Sequence, residues 1–377
     1  MNGPAEGPPD LPRKAYVELT TACNLDCPMC IRQEEGFDHG EMSGEAFAAV
    51  LRGAAAMPSL RTVNFSGYGE PTMHGRFWDF LRRAKAAGLA AEAVTNAALL
   101  GRPEAAGLVE AGLDRLVVSL DGVGQAGGGP PLHATSLARV AGFLQALRDE
   151  RLMRRAPGPT VCIEFVATRS NVDQLPRLAA LSLPLGFEEL LVTNLIPRTA
   201  EQARQVLYGL PATASRGGAA SPARPWVNLP LMDAFSPGSA AAERLRRMGM
   251  ALRVNGAPVA GRGPRCPFVA EGRFAIRWDG AVSPCLPLLH GHGYFYRDRP
   301  RRVRAFTVGS VNASPLAALW RSSAWRGFRA RVRRWEFSPC IDCGACDLRD
   351  TNERDCTGER FPRCGECLWA AGLVQCP

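Results

Sequence analysis

The stretch Thr20 to Ile31, TTACNLDCPMCI, decides how the rest of the chain is read. In it Cys23, Cys27 and Cys30 stand as C-x-x-x-C-x-x-C, directly after the short apolar run Ala15-Tyr16-Val17-Glu18-Leu19. Random placement of the chain's 13 cysteines would produce about 0.015 such triplets, so chance is a poor account of the spacing. The run before it predicts a strand, and the cysteines then fall on the loop at its carboxyl end. A zinc site or a structural thiol cluster would use the same residues.

At 377 residues, two domains are the expectation, and a hydrophobic content of 46% is ample for a globular core. No uninterrupted apolar run reaches the roughly 18 residues that would suggest a membrane span. The start, MNGPAEGPPDLPRK, has no charged segment followed by an apolar stretch and a cleavage site. The expectation is a soluble, cytoplasmic protein with a disordered lead over residues 1–13. Thirteen cysteines in that compartment point to metal or redox chemistry rather than disulfides. The net charge of +9 gathers in Arg297, Arg299, Arg301, Arg302 and Arg304, and again in Arg326, Arg329, Arg331, Arg333 and Arg334. Such a face could attract nucleic acid, an acidic substrate protein or an acidic ferredoxin. No aromatic-interleaved platform for single strands accompanies it, so nucleic acid is not the expected partner.

From Lys14 to Pro197 short β-type runs alternate with helical ones. The strands are expected at Ala15 to Leu19, Thr62 to Ser66, Leu89 to Thr95, Arg115 to Leu120, Val161 to Thr168 and Glu189 to Asn194. Helical spacing marks Ser43 to Ala55, Arg76 to Ala87, Pro103 to Ala111, Ala134 to Arg155 and Val172 to Leu183. Six βα units of about 30 residues each describe an incomplete α/β barrel, a partial (β/α)6 barrel of the TIM type, over residues 14–199. Residues 200–256 read as a connection with one or two helices, rich in Pro, Gly, Ala and Ser. Residues 257–377 form a cysteine-rich domain.

Three thiolates on an iron-sulfur cube leave one iron without a protein ligand, whereas electron-transfer clusters are closed by four cysteines. The triplet on a loop after a first strand resembles the radical S-adenosylmethionine (radical SAM) superfamily. That resemblance implies a [4Fe-4S] cluster whose open iron chelates the amino and carboxylate groups of SAM. It further implies reductive cleavage of SAM to methionine and a 5'-deoxyadenosyl radical that abstracts hydrogen from a substrate. Relatives place an aromatic residue before the last cysteine; here Met29 stands there and keeps bulk without stacking.

Further elements of the resemblance fall at strand ends. Ser66-Gly67-Tyr68-Gly69-Glu70-Pro71 is similar to the family's GGEP element, which implies that Gly67, Gly69, Glu70 and Pro71 line the methionyl amino group of SAM. Thr95-Asn96-Ala97 resembles a T-N-G stretch, with alanine in place of glycine. By the same resemblance Ser119 faces the SAM ribose or carboxylate with Asp121 alongside, Arg169 pairs with the carboxylate, and Leu195 packs near adenine. Ser, Asp and Asn also serve as caps and turn formers everywhere. Cys162, inside an apolar run, is expected to be a buried structural thiol.

The remaining nine cysteines lie between Cys266 and Cys376. Cys266, Gly280 and Cys285 frame Phe274 to Gly280, which reads as a hairpin with a Trp-Asp-Gly turn. Cys340, Cys343, Cys346, Cys356, Cys364, Cys367 and Cys376 follow. This resembles the SPASM domain, which implies one or two auxiliary [4Fe-4S] clusters. The usual pattern places a cysteine where Arg349 stands, so the pairing of thiols with clusters is left open. Zinc is the rival ligand here. His290 and His292 read as loop or packing residues, with metal ligation or acid-base work as the alternative.

The expected activity is that of a radical SAM maturase acting on a peptide, a protein or a cofactor precursor. The carboxyl end, with Cys364-Gly365-Glu366-Cys367-Leu368-Trp369-Ala370, looks like maturases associated with tungsten-cofactor oxidoreductases. A ferredoxin or flavodoxin would supply electrons. With only about 14 residues before the barrel, recognition of a leader peptide would need another protein or the connection. A radical SAM dehydrogenase, epimerase or decarboxylase on a sugar-type metabolite, and a noncatalytic zinc or iron-sulfur scaffold, are the alternatives.

Overall fold

The computed structural model describes residues 10–120, 122, 137–208, 226–230, 232, 237–247, 251–254, 265–297, 299–338, 340–341, 346–358 and 360–377. The six expected strands are β1 (Lys14–Val17), β2 (Thr62–Phe65), β3 (Ala90–Thr95), β4 (Arg115–Ser119), β5 (Thr160–Ala167) and β6 (Glu189–Asn194). They lie side by side in chain order and all parallel. Between them run α1 (Gly44–Ala55), α2 (Phe77–Ala86), α3 (Arg102–Glu110) and α4 (Leu137–Arg154), with shorter helical turns before β6. Helix α1 starts where Ser43 Oγ accepts the Ala46 amide at 3.1 Å, and it buries Phe47, Val50 and Ala54 at helical spacing.

Period-2 alternation sorts each strand into two faces. On β5, Val161, Ile163, Phe165 and Ala167 join the main core under the helices. Cys162 on the other face packs instead with Val117, Leu191 and Val94, a small apolar layer inside the barrel. Below that layer, toward the amino ends, charges neutralise one another. Glu92 Oε2 accepts from Lys14 Nζ at 2.6 Å and from Asn64 Nδ2 at 2.7 Å, and Glu189 accepts from Arg115 at 2.7 Å and Asn228 at 2.6 Å. Burial pushes Lys14 down to about 8 in spite of Glu92. Above the layer, the carboxyl ends of the strands open toward the site, as barrel enzymes require.

The sheet does not stop at β6. Residues 200–256, expected as a connection, supply β7 (Trp226–Leu229) and β8 (Ala251–Val254), which extend the parallel run. Four-residue strands amid Pro, Gly and Ala carry too little alternation to be read from sequence. On the other side of β1 lies β9 (Arg273–Ile276), also parallel to it, and β10 (Ala281–Ser283) folds back on β9 through the expected Trp278-Asp279-Gly280 turn. The turn needs Gly280 at φ +83°. A separate hairpin pairs β11 (His292–Tyr296) with β12 (Arg299–Val303), and β13 (Gly309–Ser310) closes the edge beside β10. Through β9, β10 and β13, part of the carboxyl-terminal segment therefore continues the barrel sheet.

Residues Leu373 to Pro377 reach into the barrel. The Leu373 carbonyl accepts from Asn194 Nδ2 at 2.8 Å, the Gln375 amide donates to Thr193 Oγ1 at 2.9 Å, and the Pro377 carbonyl accepts from Tyr16 Oη and Lys14 Nζ. Two arginines of the basic clusters are internal: Arg329 is buried over the Trp320 ring and donates to Asp10, and Arg301 is buried over Tyr296, whereas the part-exposed Arg299 bridges Asp347 and Asp350 near the surface. No described helix is long and apolar enough to cross a membrane.

Candidate active site and iron-sulfur sites

Cys23, Cys27 and Cys30 are half-buried on the loop that leaves β1. The loop is held by short polar contacts: Cys30 N donates to the Cys27 carbonyl at 3.0 Å, and Arg32 donates to the carbonyls of Leu25 and Thr21. Burial raises the Cys23 thiol, with Arg32 opposing. Asn96, at the end of β3, donates from Nδ2 to Cys23 Sγ at 3.7 Å and to Asn24 Oδ1 at 2.9 Å.

The Ser66–Pro71 loop after β2 is pressed against this cysteine loop. The Glu70 amide donates to the Ala22 carbonyl at 2.8 Å. A β-carbon on Gly69 would run into the carbonyls of Thr20 and Ala22, and one on Gly67 into the Glu18 side chain, so both positions need glycine. The Glu70 carboxylate is buried and gathers four donors: Thr72 N and Oγ1, Thr95 Oγ1 at 2.8 Å and Asn96 N at 2.8 Å. Burial raises its pKa against those donors. Glu70 thereby fastens the β2 loop to the end of β3, and with it Thr95 and Asn96. The Ser66 hydroxyl, buried at the end of β2, has no hydrogen-bond partner. An orphaned polar atom beside a glycine-lined cradle and three half-exposed thiols fits a polar ligand bound over an open cluster.

The other expected residues sit around the same end. Met29 is half-buried between Cys27 and Cys30, and Pro71, itself buried, begins a short helical turn. Ser119 ends β4, half-buried opposite Glu164, and Leu195 is buried after β6. Arg169 is exposed, with its amide on the Gln205 carbonyl. Asp121 and Cys343 lie outside the described residues. Cys162 is the expected packing thiol, its ionisation strongly opposed by burial.

Glu18 was not singled out from the sequence, and His290, read there as a loop or packing residue, is paired with it. Both are buried, and Glu18 Oε2 lies 2.8 Å from His290 Nε2 while Glu18 Oε1 accepts the Tyr68 amide at 3.0 Å. Phe37 stacks on the His290 ring with centroids 4.6 Å apart. The signal for Glu18 was present: Lys14, Tyr16 and Glu18 alternate with Ala15, Val17 and Leu19, which marks a polar inner face. His292 is also buried, with Nδ1 3.1 Å from the His290 carbonyl, and burial pushes it down to about 4.

In the carboxyl-terminal part, Cys266, Cys285, Cys364 and Cys367 line one cavity of about 50 Å³, walled by Phe268, Leu288, Tyr294 and Trp369. Burial pushes Cys266 up to about 11 and Cys367 to about 12, and holds Cys285 and Cys364 well above the usual thiol range. Neighbouring thiols add to the rise at Cys285, Cys364 and Cys367, so a cationic group would be needed to hold all four as thiolates. Among the described residues no three His, Cys, Asp or Glu side chains stand close enough to hold a single metal ion. Four thiols around a void suit a multi-atom cluster better than zinc. Cys340, buried, and Cys346 and Cys356, exposed, lie elsewhere, with Cys356 Sγ 3.4 Å from Ser338 Oγ. Cys376 does not line the cavity; its Sγ accepts from Trp369 Nε1 at 2.9 Å, and Glu164, Arg273 and Lys14 surround it.

This fold and these thiol sets define a radical SAM enzyme with an iron-sulfur carboxyl-terminal domain. The model of the Radical SAM superfamily matches residues 17–149, and that of SPASM, an iron-sulfur cluster-binding domain, matches 266–347. The chain belongs to the radical SAM superfamily; its cofactors are SAM, a SAM-binding [4Fe-4S] cluster and auxiliary iron-sulfur clusters. It is 30% identical over 370 residues to the tungsten-containing aldehyde ferredoxin oxidoreductase cofactor-modifying protein of Pyrococcus furiosus, covering 96% of each chain. It is 28% identical over 364 residues to the PqqA peptide cyclase of Rhodopseudomonas palustris, covering 94% of this chain and 85% of the relative. Among solved structures, Streptococcus suis SuiB bound to S-adenosylmethionine matches with a TM-score of 0.59 at 16% identity, over 89% of this chain and 71% of that one. That likeness speaks to the fold alone.

Proposed function

We propose that this enzyme is a maturase in which Cys23, Cys27 and Cys30 hold the SAM-binding cluster and the substrate is a peptide, a protein or a cofactor precursor. The observation that carries the site assignment is the Ser66–Pro71 loop, whose Gly69 lies against the carbonyls of Thr20 and Ala22 beside Cys23. When bound, the cluster supplies the electron that splits SAM into methionine and a 5'-deoxyadenosyl radical able to take hydrogen from the substrate. The chain's own residues orient that event. Gly67 and Gly69 let the backbone approach the methionyl amino group, Ser66 offers its hydroxyl, and Glu70 fixes the loop to Thr95 and Asn96. Ser119, Asp121, Leu195 and Met29 are the proposed surroundings of the nucleoside. Arg169, exposed, is kept as the carboxylate partner only on resemblance.

Cys266, Cys285, Cys364 and Cys367 are proposed as one auxiliary cluster set and Cys340, Cys343, Cys346 and Cys356 as a second, with Cys376 in neither. The exposure of Cys346 and Cys356 makes the second set the natural entry for electrons from a ferredoxin or flavodoxin. The substrate class follows from the relatives: one is named for modifying a cofactor, the other for cyclising a peptide. The test is anaerobic turnover with dithionite and SAM in the presence of deuterated candidate peptides. Deuterium in 5'-deoxyadenosine from a peptide supports this reading; deuterium only from a sugar-type metabolite overturns it.

A further inference from the structure

The loop that cradles the SAM methionyl group is not held by the barrel alone. Tyr68, at its centre, is fixed at both ends by groups outside it. Its amide donates to Glu18 Oε1 at 3.0 Å, and its hydroxyl donates to the Leu286 carbonyl at 3.3 Å. Leu286 follows Cys285, a ligand of the proposed auxiliary set. Glu18 is in turn held by His290, which stands five residues beyond Cys285, at 2.8 Å. The Phe37 ring covers His290, and Phe37 belongs to the segment that follows Cys30. That segment makes three more contacts with the carboxyl-terminal part. Glu34 accepts the Gly293 amide at 2.6 Å, Asp38 faces Arg277 at 3.5 Å, and Gly40 lies against the Trp278 ring so closely that a β-carbon would collide.

Glu18 and His290 are both almost fully shielded from water. A carboxylate in that position is costly unless it is paired; among the described residues its hydrogen-bond partners are the His290 ring and the Tyr68 amide, with Arg277 close enough to interact with its charge. Removing the ring leaves Glu18 free to reorient, and the Tyr68 amide loses a fixed acceptor. The strand of backbone displaced is Gly67-Tyr68-Gly69, the part that must approach SAM closely.

We propose that Glu18 and His290 form a buried clamp by which the auxiliary-cluster loop, residues 285–290, positions the SAM-binding loop, and that the carboxyl-terminal domain thereby sets the affinity for SAM. Both are positioning residues. The proposal rests on the site assignment above and adds that the auxiliary domain acts on the first step, SAM binding, as well as on electron flow. By reciprocity, SAM and an ordered 285–290 loop stabilise one another.

The test uses the full chain, reconstituted anaerobically, and reads SAM dissociation constants together with iron content and hydrogen exchange of residues 66–73. His290→Leu and Glu18→Gln are each expected to weaken SAM binding on the order of tenfold with iron content unchanged. The double variant should be no weaker than the worse single one, since the two act as a unit. His290→Gln keeps a donor facing Glu18 and should restore most of the affinity. Exchange at 66–73 should rise in His290→Leu and fall back in His290→Gln. If His290→Leu loses iron, His290→Gln carries the test: iron and SAM affinity near wild type support the clamp, and affinity lowered about tenfold with iron retained overturns it. SAM binding within about twofold of wild type in His290→Leu, with iron intact, also overturns it. A wild-type enzyme that bound no SAM would instead refute the site assignment.

Discussion

Gly69→Ala is the most sensitive probe of how the SAM loop meets the cysteine loop. The added β-carbon meets backbone oxygens of Thr20 and Ala22, not the tip of a flexible side chain, so neither neighbour can swing aside. Relief requires one loop to move. Overpacking of this kind costs about 1 to 3 kcal/mol, and loss of the Glu70 amide bond to the Ala22 carbonyl adds about 1 kcal/mol. A total near 3 kcal/mol, expressed as displacement of the loop, corresponds to roughly a hundredfold in SAM affinity. The assay is SAM binding to the reconstituted protein under anaerobic conditions, with iron and sulfide measured in parallel. Gly75→Ala is the control, because a β-carbon there meets nothing within 4 Å and SAM binding should be unaltered. Wild-type SAM affinity in Gly69→Ala, with the control also normal, would refute the packing argument for this loop.

Glu70→Gln can keep an oxygen for the three donors on Oε1 but sets its NH2 against the Asn96 amide at the Oε2 position, and about 1 to 3 kcal/mol of local stability should be lost. Deoxyadenosine formation should fall well before the melting temperature does, and equal activity would contradict the role given to Glu70. Cys364→Ser should lower iron content by up to one cluster, whereas Cys376→Ser should leave it unchanged; the opposite pattern would move Cys376 into a ligand set. Lys14 supplies a pH signature. Its folded pKa, depressed to about 8 by burial, lies below the unfolded value of 10.5, so its contribution to stability is present above pH 10.5 and is lost as pH falls through 8. Wild type should therefore gain on Lys14→Met by up to about 3 kcal/mol between pH 8 and 10.5 in denaturant titrations, and a constant gap would contradict the shift.

The strand-helix alternation from Ala15 to Asn194 was legible because those strands are long enough to show which face is apolar and are separated by helices with clear periodicity. The strands at 226–229 and 251–254 were not legible, since four residues in a Pro- and Ala-rich region carry almost no pattern. The cysteine triplet and the Gly69-Glu70 pair could be read because close spacing in sequence fixes each of them within a single loop. Glu18 and His290 are 272 positions apart, and only the pairing of β9 with β1 brings their segments together. The auxiliary thiols sort as Cys266 and Cys285 with Cys364 and Cys367 where distant segments meet, as in the Arg265 amide bond to the Ala370 carbonyl, a grouping that no local spacing implies. The arginine-rich stretches read as one partner-attracting face because composition cannot reveal that Arg329 stacks on Trp320 and meets Asp10 across 319 residues.

In the proposed site, three protein thiols leave one iron of the first cluster open to SAM. The direct measurement is 5'-deoxyadenosine formed from SAM under dithionite by the wild-type protein and by a variant carrying Cys23→Ala, Cys27→Ala and Cys30→Ala. The account predicts formation by the wild type and none by the variant, with the auxiliary iron retained. Undiminished deoxyadenosine from the triple variant would contradict it.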